Sequence, residues 1–419
     1  MRIGIDLACW SNRRGYGRYT RCLVEAMVSR DRAHTFVGFA DPETLAEGVF
    51  PAGLTLTPVH QSEAPARAAH AYGRRRLLDL WRMSRAVQRA HLDLMFFPST
   101  YSYFPVLGRA RCVVVAHDAI AERWPHLIFP TLAGRLAWGA KSRLACWQAQ
   151  RVVTVSASAA EAIHRRLGVP RERLRVVHEA ADPVFAMRDT PADRRERARV
   201  LERYGVPPDA HVLLYVGGFS PHKNLETLLE ALAELVSDGR DEDRAPAARP
   251  ALHLVMAGET TGEVFYSCYG ALVEQVRRLR LERHVTLPGY VPDGDLAHLY
   301  QAAMCLVLPS WDEGFGLPLV EAMACGAPVV AARAGAVPEV VGDAGLLVDP
   351  GAPADLARAI RSLVTQPALR AELRQRGLGR AAALSWEKTA EGVLAVFDEL
   401  APRAGGSRAN PRRAREQHA

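Results

Sequence analysis

Short apolar runs alternate along almost the whole chain with longer stretches in which apolar residues recur every three or four positions. The runs at 2–7, 35–39, 54–59, 93–97, 112–116, 152–155 and 174–177 are rich in Val, Leu and Phe and nearly continuous in apolarity. That is how strands of a parallel sheet covered on both faces read. Residues 19–28, 74–90, 131–150 and 159–167 between them predict helices. The alternation stops over 180–193, which holds two prolines and no period, so the domain linker is placed there. A second set follows, with strands at 212–216, 252–257, 285–287, 305–308 and 328–331. Its helices are expected at 225–235, 271–279, 296–303, 318–325, 354–364 and 368–376. The acidic, proline-bearing 237–250 reads as a surface loop, 386–400 as an amphipathic last helix, and the Arg-rich 401–419 as a disordered basic tail. The predicted fold class is therefore α/β. Two Rossmann-like, doubly wound domains, 1–185 and 186–385, face each other across a cleft at the carboxyl ends of their strands.

Composition narrows the class. Of 419 residues, 49% are hydrophobic and 24% charged, which excludes disorder as the main state, collagen and coiled coil. The seven cysteines include no Cys-x-x-Cys pair, which argues against a zinc site or disulfide framework and fits a reducing cytoplasm. The start MRIGIDLACW lacks the apolar core and cleavage site of a leader, and no run approaches the ~18 apolar residues of a spanning helix. A soluble chain is expected, at most peripheral on the inner face of a membrane. The net charge of +7 is uneven: 26 basic against 15 acidic residues over 1–185, but 22 against 30 over 186–400. A basic first half suggests an acidic partner such as phospholipid, a phosphorylated acceptor or nucleic acid; solvated faces of an arginine-rich protein explain it equally.

Residues 309–332 read PSWDEGFGLPLVEAMACGAPVVAA. A strand ends near Leu308, a loop carries Glu313, Gly314 and Gly316, and Pro318 is expected at the first position of a helix that stops near Cys325-Gly326. That helix is apolar all round apart from Glu321. A lone carboxylate so buried is costly unless something pairs with it. A sugar diol suits, since one carboxylate accepts two hydroxyls; the alternative is a basic core residue. Glycines at a helix N-terminus offer backbone N–H groups to a diphosphate.

The spacing Glu313-x7-Glu321 in EGFGLPLVEAMACGAPVVA closely resembles the signature of the retaining glycosyltransferases of family four, with the GT-B fold. The likeness runs over residues 1–400 and includes IGID, GYGRYT, VVVAHD, TVSASA, VGGFSPHKN, LPGYVP and GLLVDP. It implies a nucleotide-diphosphate-sugar donor, a sugar, lipid-linked or small-molecule acceptor, retained anomeric configuration, no metal or other cofactor, and no nucleic acid partner. It also implies that Glu321 holds the ribose hydroxyls, and that Glu313 contacts the donor sugar with the backbone of Gly314, Phe315, Gly316 and Leu317. The last helix is expected to cross back to the first domain, as in relatives.

Other positions support this reading with less specificity. Lys223 follows a strand and the turn containing Gly217 and Gly218, where its point charge suits a β-phosphate; the alternative is a solvated lysine. Asn224 is expected to cap the next helix. Many members of the resembled family carry an Arg five residues before this lysine, where this chain has Gly218. More phosphate work then falls to Lys223 and backbone dipoles, unless another arginine supplies the charge. His117 ends a buried strand and by the resemblance touches the donor sugar near its reacting carbon; otherwise it is a structural histidine. The turn Gly15-Tyr16-Gly17 resembles the loop that closes on donor phosphates. Tyr290 and Val291 are expected to bracket the base, or form a plain turn. Asp293-Gly294-Asp295 mimics a metal-binding pair, but helix capping explains it better. The stretch 74–89, with six arginines beside Leu77, Leu78, Leu80, Trp81 and Val87, suits an anionic bilayer, an acidic acceptor or a solvated face. An epimerase or phosphorylase on the same fold, and a catalytically silent binding subunit, stay open.

Overall fold

The computed structural model describes residues 1–12, 15–62, 76–238, 251–260 and 266–401. Most of the expected 237–250 loop, the start of the 74–89 stretch and the tail beyond residue 401 lie outside the described residues.

Seven strands form the first sheet: β1 (Arg2–Asp6), β2 (Thr35–Ala40), β3 (Leu54–Pro58), β4 (Leu94–Phe97), β5 (Arg111–Val115), β6 (Arg151–Thr154) and β7 (Leu174–Val176). Their order is β3-β2-β1-β4-β5-β6-β7 and the pairing is parallel throughout. A second sheet contains β8 (His211–Val216), β9 (Leu252–Ala257), β10 (Val285–Gly289), β11 (Cys305–Leu308), β12 (Val329–Ala332) and β13 (Gly345–Val348), in the order β10-β9-β8-β11-β12-β13, also parallel. Every residue of β4, β11 and β12 is buried, which explains their unbroken apolar runs. In each sheet the strand order reverses, between β1 and β4 and between β8 and β11. At such switch points the loops part and leave room for a ligand. The chain is an α/β protein of two Rossmann-like sheets.

Where the structure differs from the sequence reading, the elements are short, marginal or polar. β13 was not expected; it is four half-buried residues at a sheet edge. Helices Pro42–Glu47, Ile120–Arg123, Pro125–Ile128 and Val337–Val341 are too short to show a period. Helix Pro191–Arg203 begins inside the stretch assigned to the linker. Only Val200 in it is buried, so no apolar stripe marks it. Its signal was instead a capping box, Thr190 with Asp193, followed by a proline in the first turn.

The last helix, Trp386–Glu399, lies against the first domain. Phe397 meets Phe96 edge-on at 5.1 Å, Trp386 donates to the Ala181 carbonyl at 3.0 Å, and Thr389 donates to the His178 carbonyl at 2.8 Å. Direct bonds also join the two domains beside the cleft. Ser156 donates to the Gly314 carbonyl at 2.7 Å. Glu339 accepts from the backbone of Ala157 (2.9 Å) and Ser158 (3.2 Å), so a carboxylate of one domain sits at the positive end of helix Ala157–Leu167 in the other. Among the described residues no helix is long and apolar enough to cross a membrane.

Candidate functional site

A cleft of about 690 Å³ opens between the carboxyl ends of the two sheets. It brings together, from the first domain, Gly15 and His117. From the second it gathers Gly217, Gly218, Lys223, Tyr290 and Val291, and the loop from Glu313 to Leu317 with Glu321 beyond it. Gly17 alone among the positions expected from sequence does not line it. Helix Gly15–Arg30 already begins at Gly15, so the expected free turn is the first turn of that helix. A Cβ at residue 17 would lie 1.8 Å from the Asn12 carbonyl oxygen, so its glycine is needed for packing.

β11 delivers the chain into the loop, and helix Leu317–Ala324 carries it away; Pro318 is therefore the second helical residue and Gly316 the cap. Gly316 has φ +91°, a conformation that side chains other than glycine rarely adopt. A Cβ on Gly314 would stand 2.5 Å from the His117 carbonyl oxygen and 2.8 Å from the Asp118 Cβ. Glycine there lets the second domain's loop touch the first domain's strand end.

Glu313 is buried, and Lys223 grips it through both oxygens, at 2.8 and 3.1 Å. Ser310 adds a hydroxyl at 2.6 Å. The Lys223 partner comes from the turn after β8, so the pair lies within one domain. Asn224 stands just before helix Leu225–Asp238, where its carboxamide oxygen accepts from the Thr227 hydroxyl at 2.8 Å and its nitrogen donates to the carbonyls of Pro309 and Pro350. Burial, and then the neighbouring Lys223 charge, hold the His222 pKa well below the usual histidine range.

Glu321 has no exposed surface. One oxygen takes a charged bond from Arg18 of the first domain; the other accepts from the Tyr300 hydroxyl at 2.8 Å. Burial raises its pKa, while Arg18 and Tyr300 pull in the opposite direction. The partner present in the structure is thus a basic residue, the alternative that the sequence left open beside a sugar diol. Both residues nevertheless border the cleft. Arg18 also binds Asp293 at 2.5 Å and lies over the Phe185 ring at 5.0 Å. Burial works against its charge, but Glu321 and Asp293 outweigh that and raise its pKa.

This corrects the reading of the Asp293-Gly294-Asp295 segment. Neither acid caps a helix. Pro292 holds the cap position without a side-chain bond, and both acids fall in the first turn of helix Asp293–Ala302. Asp293 pairs with Arg18, while Asp295 pairs with Arg203 at 2.6 Å and Tyr204 at 2.8 Å. Among the described residues no group of three His, Cys, Asp or Glu side chains is placed to hold a metal.

His117 is fixed from both sides: Nδ1 lies 2.9 Å from Glu179, and Nε2 lies 3.0 Å from the Pro98 carbonyl. Both nitrogens face acceptors, so the ring has no nitrogen to spare as a base in this arrangement. Tyr16 and Tyr19 pack edge-on against it at 5.0 and 4.5 Å. Asp118 beside it accepts from the Ile120 backbone at 2.9 Å, and burial raises its pKa. Asp312 bonds across the cleft to Arg123 at 2.9 Å. Sequence reasoning missed Arg18, Glu179, Tyr300 and the Arg123–Asp312 pair. Arg18 sat inside the quoted GYGRYT segment, where a charge among residues that are buried on either side was the available signal.

Two family models divide the chain between them: Glycosyltransferase Family 4 over residues 13–185 and Glycosyl transferases group 1 over residues 196–380. A D-inositol 3-phosphate glycosyltransferase from Rhodococcus erythropolis is 35% identical over 275 residues, 64% of this chain and 59% of the relative. An O-antigen chain mannosyltransferase B from Escherichia coli is 35% identical over 252 residues, 60% of this chain and 61% of the relative. The matched part thus spans about three fifths of each relative. Among solved structures, sucrose-phosphate synthase from Thermosynechococcus elongatus superposes with a TM-score of 0.73 at 21% identity, covering 96% of this chain and 99% of its own. Anabaena HepE in complex with UDP-glucose gives 0.68 at 22%, covering 95% and 100%. The sheets, the cleft and both halves of the sequence agree: the chain belongs to the family four, group 1 glycosyltransferases and has the GT-B fold.

Proposed function

We propose that this chain is a retaining, metal-independent hexosyltransferase that moves a sugar from a nucleotide-diphosphate-sugar to an acceptor hydroxyl. Its product would be a polysaccharide, glycolipid or other glycoconjugate made in the cytoplasm. The observation that carries this reading is the convergence of Glu313, Lys223 and Glu321 on one interdomain cleft, with His117 facing them from the other domain. The glycosyl and mannosyl transfer named for the relatives, and the UDP-glucose bound to HepE, agree with it.

In this reading the second domain binds the donor. Glu321 takes the ribose hydroxyls, Tyr290 and Val291 bracket the base, and the Gly217–Gly218 turn, Gly15 and the loop from Gly314 to Leu317 surround the diphosphate. Lys223 stabilises the negative charge that builds on the leaving diphosphate. Glu313 orients the donor sugar through its hydroxyls. His117, held by Glu179 and Pro98, contacts the sugar near its reacting carbon. The acceptor oxygen attacks that carbon on the face the diphosphate leaves. The carbon–phosphate oxygen bond breaks as the carbon–acceptor bond forms, and the acceptor's proton passes to the departing phosphate oxygen. Closed domains exclude the water that would otherwise hydrolyse the donor.

The first domain also carries a face suited to an anionic bilayer. Helix Leu132–Gln148 turns Leu132, Leu136, Leu144 and Trp147 outward, Trp147 with 75% of its surface exposed, and Arg135 and Arg143 lie between them. On helix Leu77–Arg89, Leu77, Leu78 and Trp81 are likewise exposed, and Arg85 stacks on Trp81. Apolar side chains among arginines match the chemistry of an acidic membrane surface. Co-sedimentation with vesicles of phosphatidylglycerol and phosphatidylcholine is expected, with loss in Leu136→Ser/Trp147→Ser. No pelleting of the wild type would end the membrane contact.

The decisive experiment for the activity is a thermal-shift panel of UDP-, GDP-, ADP- and dTDP-sugars, followed by transfer assays with the donor that stabilises. One donor should raise the melting temperature, and turnover should require an acceptor. Stabilisation by none would remove the donor site. Turnover that needs no acceptor, or that consumes inorganic phosphate, would replace transfer by epimerisation or phosphorolysis.

A further inference from the structure

As the structure stands, Arg18 and an incoming ribose compete for the same face of the Glu321 carboxylate. It has no exposed surface, and its two oxygens are covered by Arg18 and Tyr300. Tyr300 is fully buried in the same domain, whereas Arg18 belongs to the opposite domain and lines the cleft. Any ligand that reaches Glu321 from the cleft therefore has to displace Arg18.

A guanidinium displaced from Glu321 keeps Asp293 and turns its remaining donors to a new anion. Asp293 and the Phe185 face keep Arg18 at the cleft wall while it gives up Glu321. Its Nε–H is buried and has no hydrogen-bond partner, so one donor is available to an incoming oxygen. A nucleotide-diphosphate-sugar brings both halves of the exchange: a diol for the carboxylate and phosphates for the guanidinium, a group arginine binds through paired N–H donors. The cleft needs such a cation. Among its described lining residues Arg18 and Lys223 are the only Arg or Lys, against eight Asp and Glu, and each is held by carboxylates.

We propose that Arg18 is a binding residue for the donor diphosphate, exchanged from Glu321 to the phosphates as the ribose takes that carboxylate. The first domain then contributes a charge to the nucleotide that the second domain binds, which couples donor binding to domain contact. This rests on the donor-site reading above, and the test separates the two. UDP, GDP and ADP and their nucleosides are titrated into wild type, Arg18→Gln, Arg18→Lys and Asp293→Asn, with circular dichroism to check folding. For the nucleotide that wild type binds, Arg18→Gln should lose tenfold or more in diphosphate affinity, while nucleoside affinity stays level or rises because the ribose no longer competes. Arg18→Lys should recover part of the loss. Asp293→Asn removes the anchor that keeps Arg18 at the cleft wall without touching Glu321, and should weaken the diphosphate a few-fold with nucleoside affinity unchanged; it carries the test if Arg18→Gln fails to fold. Equal losses for nucleoside and diphosphate, or no selective effect in any variant, would overturn the role of Arg18. A wild type that binds no nucleoside diphosphate would instead overturn the donor site itself.

Discussion

Glu313 and Glu321 lie eight residues apart on one loop and helix, both buried, both paired with a cation, yet the two pairs do different things. Lys223 reaches Glu313 from within the same domain, and Ser310 adds a second donor to the same carboxylate. That arrangement survives whatever the domains do relative to each other, so it is pre-organised. Glu321 owes its cation to the other domain. Its ion pair exists only while the domains touch, alongside the Ser156–Gly314 and Glu339 bonds. One acid belongs to a fixed constellation and the other to a movable junction.

The largest effect expected from breaking this contrast is at the fixed pair. Glu313→Ala should lower kcat by about 10²-fold, the usual cost of a misplaced substrate, and should leave the fold intact by circular dichroism. Unchanged turnover would remove Glu313 from the reacting centre. The junction is sharpened by Gly314→Ala, whose new Cβ would collide with the His117 carbonyl and the Asp118 Cβ. Because that clash can be relieved by parting the domains, which withdraws Arg18 from the diphosphate, kcat/KM should fall roughly tenfold together with nucleoside diphosphate affinity, while nucleoside affinity stays nearly unchanged. An equal loss of nucleoside affinity would place the damage in the second domain's own nucleotide site.

The smallest effect is expected at an exposed pair. Glu399, at the end of the last helix, binds Arg175 at 2.7 Å and Arg151 at 2.9 Å in the first domain. The Arg175 hydrogen bond is the main cause that lowers its pKa from 4.5 to about 2. The folded pKa is depressed, so its stabilisation is complete above pH 4.5 and is lost as pH falls towards 2. Solvent screens it, and Glu399→Gln should cost at most about 1 kcal/mol at neutral pH. The difference in melting temperature from wild type should narrow as the solution is acidified to pH 3. A gap that widens would contradict the pairing.

Much of this architecture was legible in the sequence because it is local. Strands such as β4, β11 and β12 are buried on both faces, so each reads as an unbroken apolar run. The Glu313–Glu321 spacing lies within one loop and helix, and a lone acid in an apolar helix announces a need for a partner. What that partner is was not legible. Arg18 is 303 positions from Glu321, Glu179 is 62 from His117, and Tyr300 is 21 from Glu321. No periodicity or spacing links such residues; only the packing of two sheets does. Asp293 and Asp295 show the converse. Their position at a helix start invites a capping role, but long-range ion pairs with Arg18 and Arg203 took both carboxylates.

The central claim, that Glu321 is the nucleotide's ribose acceptor, is tested most directly by calorimetric titration of the stabilising nucleoside diphosphate into wild type and Glu321→Gln. A charge-assisted hydrogen bond is worth about 1.5–3 kcal/mol, so the variant should bind roughly ten- to a hundredfold more weakly. Identical affinities in the two proteins, both folded, would show that this buried carboxylate holds the domains together and does not meet the nucleotide.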